Sequence, residues 1–407
     1  MIVLRRLALL AAFLPGTLAA QDQFTRITDL LPGTASGVPE FDATVWNGKL
    51  YFRTHADDFV YDLRAYDGVN PPAIVAGGAG VNPLELTLWN DALYFAGGSY
   101  LLQGLQPETT DRELWRYDGL IAPAEALDLA ASSGPHSFAV FGDELCFAAT
   151  TGAGDELNCW DGMTAPTTFD LRPGALSSNP KELAVHDGVL YFSAQDSAHG
   201  TEPWAWNGVG SPARIADLAP DAQESLPFSF TSYSDEVYFG AYPESHSRLF
   251  HMTAGGTPLQ IPGLIDVQGA LGIFGGALFV AGGDAIDVTT RLQRIDESGR
   301  VGLQPGVANT DSFLQFGNAL YFVAGLSTGD QDIWRYCGSE SVEKVSAPFA
   351  ANNAGINRGL LSLGDRILFS GFDATAGSEL WALRPMEAIY CNGFLSGDFD
   401  FWSATEP

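Results

Sequence analysis

Beyond the first twenty residues the apolar positions come in short runs of about four to eight, bounded by Gly, Asn, Asp and Pro, which is the pattern of strands and tight turns. No helical period runs through them. The most regular unit is an apolar strand, a polar turn and a second strand ending in an aromatic pair. It reads Trp46-Asn47-Gly48-Lys49-Leu50-Tyr51-Phe52 and returns as Trp89-Asn90-Asp91-Ala92-Leu93-Tyr94-Phe95 and His186-Asp187-Gly188-Val189-Leu190-Tyr191-Phe192. Asn-Gly and Asp-Gly supply the positive φ that a two-residue hairpin turn requires. The closing phenylalanines stand at 52, 95, 147, 192, 239, 279, 322 and 369, with spacings of 43, 52, 45, 47, 40, 43 and 47.

Each hairpin is followed by a third apolar segment, clearest as Glu113-Leu114-Trp115-Arg116-Tyr117-Asp118-Gly119, Glu156-Leu157-Asn158-Cys159-Trp160-Asp161-Gly162 and Glu202-Pro203-Trp204-Ala205-Trp206-Asn207-Gly208. A fourth, short strand is expected at Ala126-Leu127-Asp128-Leu129, Phe169-Asp170-Leu171 and Ile215-Ala216-Asp217-Leu218. Four strands in about 45 residues is one blade of a β-propeller. The expected fold is therefore all-β, an eight-bladed β-propeller of four-stranded antiparallel blades. Ile27-Thr28-Asp29-Leu30 resembles a fourth strand with no hairpin before it, and the last repeat stops at Glu379-Leu380-Trp381. An N-terminal strand completing the last blade would close the ring and leave no open edge. The repeat at 257–306 is the weakest, so seven blades stand as the alternative. The Trp of the third strand is expected to pack between blades.

The segments Gly154-Asp155-Glu156-Leu157, Gly200-Thr201-Glu202-Pro203-Trp204 and Gly377-Ser378-Glu379-Leu380-Trp381 resemble the ELWxxDGT-repeat proteins, over about 27–384. The resemblance implies an exported bacterial β-propeller and no particular activity. The threonine expected after Asp-Gly is replaced by Leu120 and Met163, and two repeats read Arg248-Leu249-Phe250 and Arg291-Leu292-Gln293 where Glu-Leu-Trp is expected.

The ends add a compartment. Arg5 and Arg6, the apolar run Leu7–Leu14, Pro15-Gly16 and the small residues to Ala20 have the order of a secretory signal peptide, so 1–20 is expected to be removed, leaving a propeller at 21–385 and a tail at 386–407. No cysteine follows the cleavage site, so no lipid anchor is expected, and no later run is long enough to span a membrane. The chain is expected to be secreted or periplasmic. Cys391-Asn392-Gly393-Phe394 with Trp402-Ser403 is similar to short C-terminal tails of secreted bacterial proteins; it reads either as an export or sorting tag or as a disulfide-tethered strand. Four cysteines in an exported chain suggest two bridges. Cys146 and Cys159 fall on adjacent strands of one hairpin, which leaves Cys337 for Cys391.

The formal charge is −29, and loss of Arg5 and Arg6 leaves 18 basic against 49 acidic residues, or −31. That excludes a nucleic-acid partner, which needs a basic footprint, and adsorption to anionic membranes. Cationic ligands remain open, and a monomer is expected. The chain has no nucleophile elbow, phosphate loop, HExxH helix or EF-hand run. No cofactor is evident; loop carboxylates could take calcium.

With strands lettered a to d from the channel outward, the b–c and d–a connections share one face. His55, His199 and His246 fall in b–c loops and His136 in a d–a loop, while His186 falls in an a–b turn on the opposite side. The b–c loops also carry Asp57, Asp58, Glu108, Asp111, Asp155, Asp196, Glu244, Asp284, Asp287, Asp330 and Asp373. His55, His136, His199, His246, Asp196 and Glu244 are the candidate ligand-binding face, with no catalytic residue assigned. Two functions compete. One is a binding or scaffold propeller for a glycan, peptide or protein; the other is a polysaccharide hydrolase or lyase with its site at the central funnel.

Overall fold

The computed structural model describes residues 22–385, apart from 32, 34, 58–59, 99, 104–105, 110–111, 130–131, 221–222, 285–289, 298, 326–330, 339–340 and 346–355. The expected signal peptide, the tail and Cys391 lie outside the described residues. Among the described residues the strands pair into eight four-stranded antiparallel sheets and one extra hairpin, with no helix. Strand a of each blade touches strand a of the next all the way round, including blade eight against blade one. The molecule is an eight-bladed β-propeller.

The a–b turns form as their sequences demand. Both central residues have positive φ at Asn47–Gly48, Asn90–Asp91, Asp187–Gly188, Ser234–Asp235 and Gly275–Gly276. The twist of such a turn matches that of the flanking strands. Strand b follows, and all eight of its closing phenylalanines, from Phe52 to Phe369, are fully buried. They sit in clusters shared by neighbouring blades: Phe279 of blade six, for instance, packs with Leu320, Phe322 and Trp334 of blade seven. A strand sandwiched between neighbours buries both faces, which is why Leu-Tyr-Phe need not alternate. The third-strand tryptophans Trp204, Trp334 and Trp381 are buried between blades as expected. The long interval between Phe95 and Phe147 accommodates the extra hairpin, Tyr100–Gln103 with Gln106–Thr109, inserted between strands b and c of blade two.

The weakest repeat still makes a complete blade, Leu264–Phe274, Ala277–Asp284, Arg291–Asp296 and Gly299–Gly302. Gln293 there replaces the tryptophan and reproduces its bond. Its Nε2 donates to the Gly282 carbonyl at 3.2 Å, as Trp204 Nε1 donates to Ala194 and Trp334 Nε1 to Ala324 at 2.9 Å.

Ring closure is by the N-terminus, one step upstream of its expected place. Strand d of blade eight is Gln23–Arg26, paired with Gly377–Arg384 in the register Gln23↔Arg384 to Arg26↔Trp381. The Ile27–Leu30 segment lies after it. The same displacement holds elsewhere: strands d are Ala124–Leu127, Thr167–Phe169 and Ala213–Arg214, so the Asp-Leu pairs lie at or past the strand ends.

The reason is a buried carboxylate. The Glu that opens strand c reaches the d–a connection and accepts its backbone N–H groups. Leu171 N donates to Glu156 at 3.1 Å, Leu218 N to Glu202 at 2.8 Å and Leu30 N to Glu379 at 3.2 Å. Hydroxyls complete the set, with Ser225 Oγ donating to Glu202 at 2.7 Å and Thr28 Oγ1 to Glu379 at 2.5 Å. The Asp-Leu motif is thus kept for the N–H of its leucine, a buried donor that must find an acceptor.

The Asp-Gly after strand c locks neighbouring blades. Asp118 and Asp161 each accept two backbone N–H groups, from Leu120 and Ile121 and from Met163 and Thr164. The intervening Gly119 and Gly162 have positive φ, and a Cβ on either would stand 3.1 Å from the Trp46 or Trp89 ring of the preceding blade. Leu120 and Met163 project into solvent. Only their N–H is used, so the missing threonines leave this turn intact.

Cys146 and Cys159 are bonded across adjacent strands b and c of blade three. Among the described residues no cysteine is free.

Candidate functional site

Strand a enters the channel from the face that carries the b–c loops, so its first residues form the mouth. There it bulges: Glu85, Ser137, Glu182, Ser229 and Ser312 all have φ near +56, and the register of strand a to strand b shifts beside each. Gly269 and Gly359 hold the corresponding places in blades six and eight with positive φ. A bulge frees a backbone N–H from the ladder and re-aims the side chain. At four of these places the N–H is taken by a side chain of the preceding blade. Glu85 N and Leu86 N donate to Asp42 at 2.6 and 3.1 Å, Ser137 N donates to Glu85, and Ser229 N donates to Glu182 at 3.0 Å. Gly359 N donates to Ser312 Oγ at 2.7 Å.

Burial raises the carboxyl of Asp42 above its ordinary value, against the lowering effect of those N–H bonds. Glu85 is raised too, first by burial, and the Asp42 charge adds to it while His136 opposes it. Glu156, Glu202 and Glu379 are likewise raised by burial, but their oxygens are engaged by the d–a connections. A raised carboxylate marks an acid–base site only when it faces a cleft. Of these five, Asp42 and Glu85 belong to the mouth.

The histidines expected on this face have separate partners. His136 opens strand a of blade three; its Nε2 lies 3.2 Å from Asp155 Oδ2 and its Nδ1 3.2 Å from Ser137 Oγ. His199 is in the b–c loop of blade four, with Nδ1 3.0 Å from Asp196 and Nε2 4.0 Å from Asp217. His246, in the b–c loop of blade five, stands 2.8 Å from Asp266 of blade six. His55 lies within strand b of blade one, stacked on Tyr61 with Nδ1 3.2 Å from the Ser36 carbonyl. Glu244 is exposed, and Asp373 accepts from Thr375 in its own loop. His186 ends strand a of blade four, on the opposite side, against the Phe230 carbonyl at 3.0 Å. The side chains of Asp57, Asp58, Glu108, Asp111, Asp284, Asp287 and Asp330 lie outside the described residues. Among the described residues no group of three or more His, Cys, Asp or Glu is arranged to hold a metal ion.

A concavity lies at the mouth across blades four to seven. It is a cavity of about 410 Å³ lined by Glu182, Phe228, Ser229, Thr310, Asp311 and Gln331, with Gly269 and Ala270 on its wall. Phe228 packs on Gly240, whose missing side chain leaves room for the ring. Thr310 is fully buried, and its hydroxyl has no hydrogen-bond partner. An orphaned buried hydroxyl is uncommon and calls for a group to meet it.

None of Asp42, Glu85, Glu182 or Thr310 was singled out by the hairpin pattern, yet a signal exists. Asn-Pro-x-Glu-Leu occurs at 82–86 and 179–183, and Pro-x-Ser-Phe at 135–138 and 227–230. Through blades two to five Glu alternates with Ser, and the Glu of one blade accepts from the Ser N–H of the next.

No family model and no curated protein matches the chain. Solved structures do. A Mycobacterium tuberculosis puromycin-hydrolysing peptidase aligns with a TM-score of 0.51 at 13% identity, over 84% of this chain and 60% of its own length. The β-propeller domain of the Trilobed protease from Pyrococcus furiosus aligns with a TM-score of 0.45 at 11% identity, over 79% of this chain and 100% of that domain. An ulvan lyase aligns with a TM-score of 0.43 at 10% identity, over 87% and 94%. The chain therefore spans less than two thirds of the peptidase. At such identities the likeness is one of fold, and function must be argued from the site.

Proposed function

We propose that this chain is an exported binding propeller of the ELWxxDGT-repeat kind, and that it takes its ligand at the channel mouth on the b–c loop face. The observation that carries the reading is the polar, partly aromatic cavity between blades four and seven, with its orphaned Thr310 hydroxyl. A concave site with a few convergent polar groups is the usual form of a ligand pocket. The separate pairing of His136, His199 and His246, each with its own acid, supports a face that holds shape rather than one that assembles a shared acid–base centre.

A second reading, an enzyme acting on polysaccharide, draws on one observation: the run Ser137, His136 and Asp155 beside Glu85 at the mouth of blades two and three. The mature protein would be incubated with a panel of bacterial and plant polysaccharides, scoring protein depletion and new reducing or unsaturated ends together. Depletion without products supports the binding propeller. Products that vanish in His136→Ala would replace it with the enzyme.

A further inference from the structure

We infer that the cavity between blades four and seven recognises an ammonium group, carried either by an amino sugar or by the side chain of a basic peptide. The inference rests on the binding reading and narrows it to a ligand chemistry.

Three features of the wall point to it. Glu182 gives only Oε2 to the Ser229 N–H, at 3.0 Å, so Oε1 remains to accept from a ligand. Asp311, which accepts from Ser312 Oγ at 3.0 Å, adds a second carboxylate to the wall, and none of the described lining residues is basic. Phe228 supplies an aromatic ring beside them, and a cation is attracted both to a carboxylate and to an aromatic face. The fully buried Thr310 hydroxyl, without a partner, is independent of the acids and supplies an acceptor for a second ligand donor. The charge of −29 draws cations toward the molecule and repels anionic ligands such as uronate chains. A volume of about 410 Å³ holds one or two sugar rings or a lysine side chain with its neighbours.

The test is calorimetric titration of the mature protein with a glucosamine tetramer, a tetralysine peptide and an N-acetylglucosamine tetramer, at low and at moderate salt. Glu182→Gln keeps an oxygen for the Ser229 N–H and so spares the bond between blades. Ala270→Trp fills the cavity without touching an acid. Unchanged thermal midpoints establish that both variants are folded. The expected result is that one amine probe binds, that the N-acetylated tetramer does not, and that Glu182→Gln weakens binding at least about tenfold. Ala270→Trp should abolish it. Which amine binds identifies the source. Amine binding indifferent to both variants would be diffuse attraction to an acidic surface and would overturn the inference. Equal binding of the N-acetylated tetramer, blocked by Ala270→Trp, would overturn the ammonium and leave the binding mouth standing. Silence from every probe here and from the polysaccharide panel would overturn both.

Discussion

Replacing Glu202 by alanine tests whether the repeated glutamate is a structural acceptor. In the native protein Glu202 is fully buried and receives Leu218 N at 2.8 Å, Ala219 N at 3.3 Å and Ser225 Oγ at 2.7 Å. Alanine strands the two N–H groups, whereas Ser225 Oγ can still donate to the Thr201 carbonyl at 3.3 Å. Two orphaned buried donors cost about 2–6 kcal/mol. Loss of a desolvated charge gives some of that back, because burial already disfavours the ionised form. The expected net loss is about 3 kcal/mol by urea unfolding at neutral pH. Glu202→Gln retains one acceptor oxygen and should lose about half as much. Ser225→Ala should cost about 1 kcal/mol alone and less in the Glu202→Ala background, where only the longer bond to the Thr201 carbonyl is left to lose. Hydrogen exchange at Leu218 and Ala219 should quicken with it. A loss under about 1 kcal/mol, or additive effects of the two changes, would refute the account.

Three further outcomes follow from the same geometry. Gly162→Ala forces a side chain into positive φ against the Trp89 ring at 3.1 Å, and should cost about 2–3 kcal/mol in the same urea assay. Removing the bridge with Cys146→Ala and Cys159→Ala opens a link across 13 residues and should cost about 2–3 kcal/mol, a difference that vanishes when the parent is measured under reductant. For pH, Glu156, Glu202, Glu379, Asp42 and Glu85 are all raised by burial, so the folded protein holds their protons more tightly than the unfolded chain. Stability from these groups therefore falls as pH climbs above the ordinary carboxyl range. Asp67, held at about 2 by its turn, and the lowered Asp118, Asp161 and Asp373 act oppositely and withdraw stability only as pH drops below 3.8. The thermal midpoint should peak near about pH 4–5, and a maximum at or above neutrality would contradict the assignment.

The blades were legible because their signals are local. A turn such as Asn47–Gly48 states its own φ, and the residues that obey it are neighbours in the chain. Asp-Leu was misplaced because its leucine serves a side chain 15 or 16 residues earlier, as Leu171 serves Glu156 and Leu218 serves Glu202. Such a bond imitates the spacing of a strand without being one. The mouth was harder, since Glu182, Ser229 and Asp311 converge from strands whole blades apart, and only the alternation of Glu-Leu with Ser-Phe hints at the join.

That alternation also separates scaffold from site. Glu113, Glu156, Glu202 and Glu379 are spent as acceptors inside blades two, three, four and eight, and Asp118 and Asp161 inside turns. Much of the acidic composition is therefore a consequence of how the ring is built, and does not by itself describe a ligand. Blades five and six break the rule, carrying Arg248 and Arg291 where blades two, three, four and eight carry the glutamate and blades one and seven carry Asp62 and Asp332. Blade six also takes glycine at the bulge, where Gly269 lies so close to the Thr310 carbonyl that a Cβ could not fit. The cavity opens in this irregular stretch. A repeat that departs from its own pattern gives up packing that its neighbours retain, and it is there that a recognition site can be built without disturbing the blades that hold the ring closed.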